Sequence, residues 1–352
     1  MEANYINMKA KKTSTKRKKI AIALQGGGSH GAYTWGVLER LLEEDLFDIR
    51  GICGASSGAQ VAAVTVYGLH VGGNKGGIEL LGKFWNALAK GHQHSLLQPG
   101  ILDDDLYPGG LDYSPGYHML SNLAKVFSPY DLDPFNIQPN HLKQLLESLI
   151  DVDALRNSET KLFVSATNVK TCKPKVFGPN QITMEALLAS SALPVIFKAV
   201  EIDGEFYWDG GYLGNPPIDP LIDGTDADDI LTLKINPTLI TKEPTSSKEI
   251  HDRIGQISLS TSLMAEMRML AFQDELLEYG YDLKDKIRKI RYHEISADET
   301  LNDLGLTSKF NHSEKFLNSL RKRGHAAAEK WLKENYDKVG VESSVDLKKV
   351  YV

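Results

Sequence analysis

The segment Gly54-Ala55-Ser56-Ser57-Gly58 presents a hydroxyl framed by glycines. A strand that enters G-x-S-x-G and leaves as a helix must turn sharply. Gly54 and Gly58 permit the tight backbone, the Ser56 oxygen projects from the bend, and the helix N-terminus favours negative charge developing there. Such a serine is a candidate nucleophile for acyl transfer. Its attack on an ester leaves an oxyanion that must meet donors already in place. Upstream, Gly26-Gly27-Gly28-Ser29-His30-Gly31 can present several backbone N–H groups to one point. One such donor contributes roughly 3 kcal/mol in related chemistry. The serine also needs a base. Asp209, in Asp209-Gly210-Gly211, follows it in the chain and sits at a strand end. Taken singly, each motif has a blander reading: a Gly/Ser-rich loop, or a turn aspartate that bonds its own backbone.

The surrounding pattern supplies the elements that must position these groups. Lys19–Leu24 is a short, almost continuous apolar run, as expected of a strand buried on both faces. Val37, Leu38, Leu41 and Leu42 give helical spacing to Tyr33–Glu44. A strand over Ile49–Cys53 then leads into the serine turn, and an apolar helix leaves it over Gln60–Gly68. Between Leu69 and Asn140 the chain is rich in Gly, Pro, Asp and Tyr, with short helices such as Glu79–Ala89. A stretch this irregular reads as a lid or insertion. Leu96, Leu97, Leu106, Tyr107, Tyr113 and Tyr117 suit a cover over an apolar pocket and ordinary loop packing equally well. A helix at His141–Ile150, a strand at Lys161–Ala166 and a helix at Thr183–Ala192 follow, the last stopped by Pro194. Asp203-Gly204 between alternating runs marks a hairpin that delivers Asp209. Ile230–Ile235 is a further strand. Beyond Asn236 the pattern is mostly helical, over Ile250–Tyr279 and Ser313–Tyr336.

Composition narrows the class. The chain has 352 residues and a net charge of −6, which gives no case for nucleic acid as the main partner. Lys9, Lys11, Lys12, Lys16, Arg17, Lys18 and Lys19 crowd the N-terminus. Such a basic arm reads as a solvated tail, or as a contact for an anionic membrane surface or nucleic acid. Two cysteines, Cys53 and Cys172, make no disulfide framework and fit a reducing compartment. No apolar run reaches the roughly 18 residues of a spanning helix. No apolar segment of signal-peptide type follows the basic residues, so a cytoplasmic or peripheral membrane location is expected, and export would need another route.

Rival readings compete for the same motifs. Gly26-x-Gly28-x-x-Gly31 after a strand also fits a dinucleotide fingerprint, and with it an oxidoreductase. That reading wants an acidic residue at the end of the second strand, where Cys53-Gly54 stands instead. A serine–aspartate–histidine triad would draw on His293, His312 or His325. His92-x-His94 has no further metal ligands clustered with it.

Glycine turn, Gly-x-Ser-x-Gly and Asp-Gly-Gly, in this order on strand ends, resemble the patatin-like phospholipases over about residues 20–223. Ser190-Ser191-Ala192-Leu193-Pro194 and Asn215 add to the resemblance. So, less diagnostically, does the stretch from Ser308-Lys309-Phe310-Asn311 through Arg321 to Trp331. Two departures are that many members carry Arg or Lys where His30 stands, and Thr and Ala where Ala55 and Ser57 stand. The resemblance implies a three-layer α/β fold with a mostly parallel central sheet, an irregular lid and a helical C-terminal region. Residues 1–19 would be a basic tail, 20–235 the catalytic domain with 69–140 as its lid, and 236–352 the helical region. It implies a lipid acyl hydrolase of phospholipase A or lysophospholipase type, with a Ser56–Asp209 dyad and no metal or cofactor. Gly26, Gly27, Gly28, Ser29 and Gly31 would form the oxyanion hole, supported by Gly54, Gly58, Gly210 and Gly211; Ser57 would point away from the elbow tip. The expected partners are a phospholipid or other lipid ester and, peripherally, a membrane. A catalytically silent lipid-binding protein of the same fold is the alternative.

Overall fold

The computed structural model describes residues 17–103, 109–132, 140–194, 196–280 and 287–352. The basic arm before Arg17 and the lid residues Leu106 and Tyr107 lie outside the described residues. Strand β1 (Lys18–Leu24) is an inner strand of the sheet, paired on both edges. It begins two residues inside the stretch expected to be tail, because Lys18 Nζ donates to the Tyr336 and Val339 carbonyls and Lys19 pairs with Asp226.

Helix α1 (Gly31–Glu44) follows the glycine turn and returns the chain to β2 (Phe47–Ala55). From the serine turn rises α2 (Ser57–His92), broken by non-helical backbone at Gly72 and Gly73. The region expected to turn irregular at Leu69 therefore stays helical as far as His92. Its glycines made the helical spacing hard to read, yet Leu81, Phe84 and Trp85 bury one face of the second half. Two further helices, α3 (Pro115–Val126) and α4 (His141–Leu149), precede β3 (Lys161–Asn168) and β4 (Pro174–Phe177). Next come α5 (Met184–Ser190) and the hairpin of β5 (Val200–Ile202) and β6 (Glu205–Asp209). Asp203 (φ 53°) and Gly204 (φ 78°) both take the left-handed backbone that a two-residue hairpin turn demands. Strand β7 (Asp229–Lys234), the long helix α6 (Ser247–Glu278), β8 (Arg291–Ser296) and α7 (Glu314–Asn335) complete the main elements.

The strands form one sheet in the order β5-β6-β3-β2-β1-β7-β8, with β4 also paired to β3. β1, β2, β3, β7 and β8 run parallel, and the strands around β3's outer end run antiparallel. The C-terminal region is thus not only helical: β8 adds a parallel strand beside β7. Its sequence, RYHEIS, alternates too weakly to separate it from its charged surroundings.

Alternate residues of β1 face opposite cores. Ile20, Ile22 and Leu24 join Leu38, Val61, Leu81, Leu320 and Trp331 on one side. Ala21 and Ala23 join Ile218, Leu221, Leu263 and Met267 on the other. Two apolar layers on one sheet make the fold a three-layer α/β arrangement. In a parallel sheet, ligands meet the chain outside the carboxyl ends of the strands. Here those ends carry Gln25, Ser56 and Asn236.

Candidate active site

Strand β2 runs directly into Ser56, and α2 starts one residue later. Ser56 has φ 53° and ψ −131°, a left-handed conformation that costs a non-glycine residue about 1–3 kcal/mol. The turn is held from behind: the Ser56 N–H donates to both the carbonyl and the hydroxyl of Ser190, each at 3.0 Å. Gly58 lets the first turn of α2 lie on the end of β1, since a Cβ there would stand 2.4 Å from the Leu24 carbonyl oxygen. Ser56 itself is half-buried, at the N-terminus of α2, where the helix dipole favours negative charge.

Asp209 ends β6, opposite Ala166 of β3, and its N–H donates to the Ala192 carbonyl at 3.0 Å. Thr167 Oγ1 donates to the Asp209 carbonyl at 2.9 Å. The side chain is buried. Oδ1 accepts from the Gly211 N–H at 2.7 Å, whereas Oδ2 has no hydrogen-bond partner. Burial raises the Asp209 pKa from 3.8 to about 6, opposed by the Gly211 N–H and by the Ser56 hydroxyl. The structure thus brings the two side chains together. The hydroxyl is near enough to favour the carboxylate, without closing a hydrogen bond onto Oδ2. Contacts of this kind are often long in a free enzyme and tighten around substrate. Gly210 lies flat on β3: a Cβ there would stand 2.2 Å from the Ser165 carbonyl oxygen.

The glycine turn closes over the same point. A Cβ on Gly26 would stand 2.7 Å from that of Ser56. The five expected donors divide on inspection. Gly26 N–H donates to Asn215 Oδ1 at 2.6 Å, and Gly27 N–H to Ser57 Oγ at 3.1 Å. Gly31 N–H is taken by the carbonyls of Gly28 and Ser29. Among the described residues only Gly28 and Ser29, at the start of the short 3-10 turn Gly28–His30, keep free N–H groups in this loop. Ser57 does not point idly away: its hydroxyl is the acceptor that fixes Gly27. His30 does not face a ligand either. Ser308 Oγ donates to the Gly305 carbonyl at 2.6 Å, so His30 Nε2 donates to Ser308 Oγ, at 2.7 Å. Burial keeps this imidazole neutral.

Four further residues support this loop; of these the sequence reading named Asn215 and Lys309, and only as part of the family resemblance. Gln25 Oε1 accepts from the Ile235 and Asn236 N–H groups, fixing the ends of β1 and β7 together. Asn215 Nδ2 donates to the Leu259 carbonyl at 2.9 Å while Oδ1 holds Gly26. Asn236 Nδ2 donates to the Gly26 carbonyl at 2.9 Å, and Lys309 Nζ donates to Asn236 Oδ1. Gln25 directly precedes the glycines and Asn215 closely follows Asp-Gly-Gly, so adjacency to a motif was a usable signal for both. Asn236 carried none, being set apart in the chain, and Lys309 only its place in the Ser308-Lys309-Phe310-Asn311 stretch of the resemblance.

The three histidines considered for a triad lie elsewhere. His293 Nε2 is bonded to Asp229 at 2.9 Å, His312 Nδ1 to the Phe310 carbonyl at 3.2 Å, and His325 Nε2 to Glu43 at 3.1 Å. None bonds to Ser56 or Asp209. His92 packs against the ring of His312, and the described residues contain no cluster of three or more potential metal ligands. No acidic residue stands at the end of β2 to hold a ribose. No helix among the described residues is long and apolar enough to cross a membrane.

The patatin-like phospholipase family model matches residues 22–222. A relative described as a probable lipid hydrolase, from Invertebrate iridescent virus 6, is 26% identical over 207 residues, 56% of this chain and 61% of that protein. The match therefore spans about three fifths of that relative's length. Among solved structures, VipD from Legionella pneumophila aligns with 96% of this chain and 73% of its own, at 17% identity and a TM-score of 0.44. ExoU, in its complex with SpcU from the type III secretion system of Pseudomonas aeruginosa, aligns with 91% of this chain and 53% of its own, at 16% identity and a TM-score of 0.36. With the family model covering more than half of its length, and the glycine turn, serine turn and aspartate all inside the match, the chain belongs to the patatin-like phospholipase family.

Proposed function

We propose that this chain hydrolyses carboxylic esters of lipids, in the manner of a phospholipase A or lysophospholipase, with Ser56 as nucleophile and Asp209 as base. The observation that carries the proposal is a serine held at strained backbone dihedrals beside a buried carboxylate with one unengaged oxygen. Ser56 Oγ attacks the ester carbonyl as its proton passes to Asp209 Oδ2. The carbonyl π electrons move onto oxygen, which the Gly28 and Ser29 N–H groups meet. Collapse of this intermediate breaks the ester C–O bond, and the leaving alkoxide takes the proton from Asp209. A water molecule then attacks the acyl-enzyme, giving its proton to the same carboxylate, and Ser56 recovers that proton as the fatty acid departs. An ordinary aspartate is a weak base for an alcohol. Burial that lifts its pKa to about 6 makes it a better one while leaving it ionised at neutral pH. These steps use only the chain's own groups and water.

A lipid surface as the source of substrate is supported by α3. None of its residues is buried, and Met119, Leu120, Leu123 and Val126 are exposed. Near its start the Tyr117 ring packs against Phe310, the neighbour of Lys309. Just beyond its end, Tyr130 Oη accepts from the Ala199 N–H, in the loop that follows α5 and its Ser190. The helix and the turn after it therefore contact both the Lys309 segment and the loop that follows α5.

Turnover of lysophosphatidylcholine and of a diacyl phospholipid by wild type and S56A tests the proposal. Fatty acid release by wild type and none by a folded S56A is the expected result. Equal release by both proteins would overturn it.

A further inference from the structure

Among the described residues, Lys309 is a cation beside the glycine turn that the steps above leave unused. It lies in the 3-10 turn Leu306–Phe310, far along the chain from the glycine turn, yet it touches that turn twice. Its ammonium donates to Asn236 Oδ1, and Asn236 Nδ2 in turn holds the Gly26 carbonyl at 2.9 Å. The same nitrogen would stand 3.1 Å from a Cβ on Gly27. Its backbone fits the next residue: Gly28 has φ +59°, and a Cβ there would stand 2.3 Å from the Lys309 carbonyl oxygen. Ser308, one residue earlier, accepts from His30 at the other end of the turn. A single short segment thus grips Gly26, Gly27, Gly28 and His30.

The electrostatic setting is one-sided. Among the described residues no carboxylate accepts a hydrogen bond from Lys309. The nearest acidic influence is Asp252, itself paired with Lys248 at 2.7 Å and accepting from the Leu306 N–H at 2.9 Å. Desolvation pulls the Lys309 pKa from 10.5 to about 7, the behaviour of an ammonium surrounded by neutral groups. Before reaction this charge has no carboxylate bonded to it among the described residues. An oxyanion on the Gly28 and Ser29 N–H groups would supply a counter-ion on the adjoining face of the same loop. Interactions that become favourable only as charge develops raise kcat rather than ground-state binding.

We propose that Lys309 is a positioning residue of this site, holding the Gly26–Gly28 turn through Asn236 and keeping a positive charge behind the free N–H groups. The inference rests on the ester-hydrolase reading for its kinetic consequence, but not for its structural one. His30, where many members of the family carry Arg or Lys, is neutral and tied to Ser308; Lys309 brings positive charge to the same turn from another part of the chain.

The test compares K309M, K309R and N236A with wild type in two assays. With a soluble short-chain nitrophenyl ester, K309M is expected to lose about 100-fold in kcat with KM changed less than about two-fold. K309R is expected to recover at least about ten-fold of that loss, and N236A to fall in kcat like K309M. The second assay needs no substrate: amide hydrogen exchange of residues 26–31, by NMR or mass spectrometry, is expected to quicken in K309M and N236A. Wild-type kcat in a folded K309M, or a loss confined to KM, would overturn the inference, as would unchanged exchange. If wild type hydrolyses no ester, the proposed function fails and the exchange assay still decides the role of Lys309. If K309M does not fold, K309Q, which keeps a donor for Asn236 without the charge, takes its place, and undiminished kcat in K309Q would refute the electrostatic part.

Discussion

Replacing Asp209 with asparagine is expected to make the folded protein more stable while removing its activity, and the gain in stability should depend on pH. Asp209 is buried, and desolvation raises its pKa from 3.8 to about 6. The charged carboxylate is therefore disfavoured in the folded chain relative to the unfolded one. Stability associated with the neutral carboxyl is fully present below pH 3.8 and is lost as pH rises through 6. Each pKa unit corresponds to about 1.4 kcal/mol, so the complete penalty is about 3 kcal/mol. It is essentially complete at pH 7.5, and at pH 4.5 the same two pKa values leave about 1 kcal/mol. Asparagine keeps an oxygen for the Gly211 N–H and carries no charge. Its unpartnered amide shifts stability equally at both pH values and cancels from the comparison. D209N should therefore gain about 2 kcal/mol more at pH 7.5 than at pH 4.5, relative to wild type. For a chain of this length that is about 3 °C in melting midpoint. Thermal melts of both proteins at the two pH values, with S56A as a control that leaves the carboxylate in place, read the difference. A D209N protein less stable than wild type at pH 7.5, or a gain equal at both pH values, would refute the reasoning.

Four further outcomes are expected. In the pH profile of kcat/KM for a soluble ester, activity should rise through an apparent pKa of about 6 as Asp209 ionises and fall again through about 7 as Lys309 loses its proton; a profile flat from pH 5 to 8 would count against the carboxylate as base. S56G should melt higher than wild type by the equivalent of about 1 kcal/mol, because glycine accepts the positive φ at Ser56 without strain, and denaturant unfolding would reveal any loss instead. Alanine at His293, His312 or His325 should retain turnover in each folded variant, since each ring is bonded outside the dyad, and loss of turnover in one would favour a triad. L123D and V126D together should reduce hydrolysis of phospholipid vesicles at least about ten-fold while leaving a monomeric soluble ester unaffected; equal effects on both substrates would remove α3 from the membrane surface.

Much of this architecture was legible in the letters because single residues do local work there. A strand ending in glycine, a serine between glycines and a hairpin marked by Asp203-Gly204 each announce a backbone conformation that few other residues adopt. The Ser56 turn, the Asp209 strand end and the three-layer order follow from them. What stayed hidden depends on distance along the chain. β8 pairs with β7 across the whole of α6, and RYHEIS carries charges because it lies near the sheet edge. α2 continues past Leu69 because tertiary contacts of Leu81, Phe84 and Trp85 outweigh the helix-weakening effect of Gly72, Gly73, Gly76 and Gly77. That Gly26 and Gly27 are engaged could not be read from the letters for a related reason, although Asn215 was marked by its place after Asp-Gly-Gly. Their partners, Asn215 and Ser57, are ordinary polar residues whose role exists only once strand ends converge. The same holds for Lys309, which meets the glycine turn through folding alone.

The most direct measurement is covalent: a lipid-like fluorophosphonate, reacted with wild type, S56A and D209N, followed by peptide mapping. The label should appear on the peptide containing Ser56, be absent in S56A and form at least about 100-fold more slowly in D209N. Labelling at another residue, or at the wild-type rate in D209N, would contradict the pairing of Ser56 with Asp209.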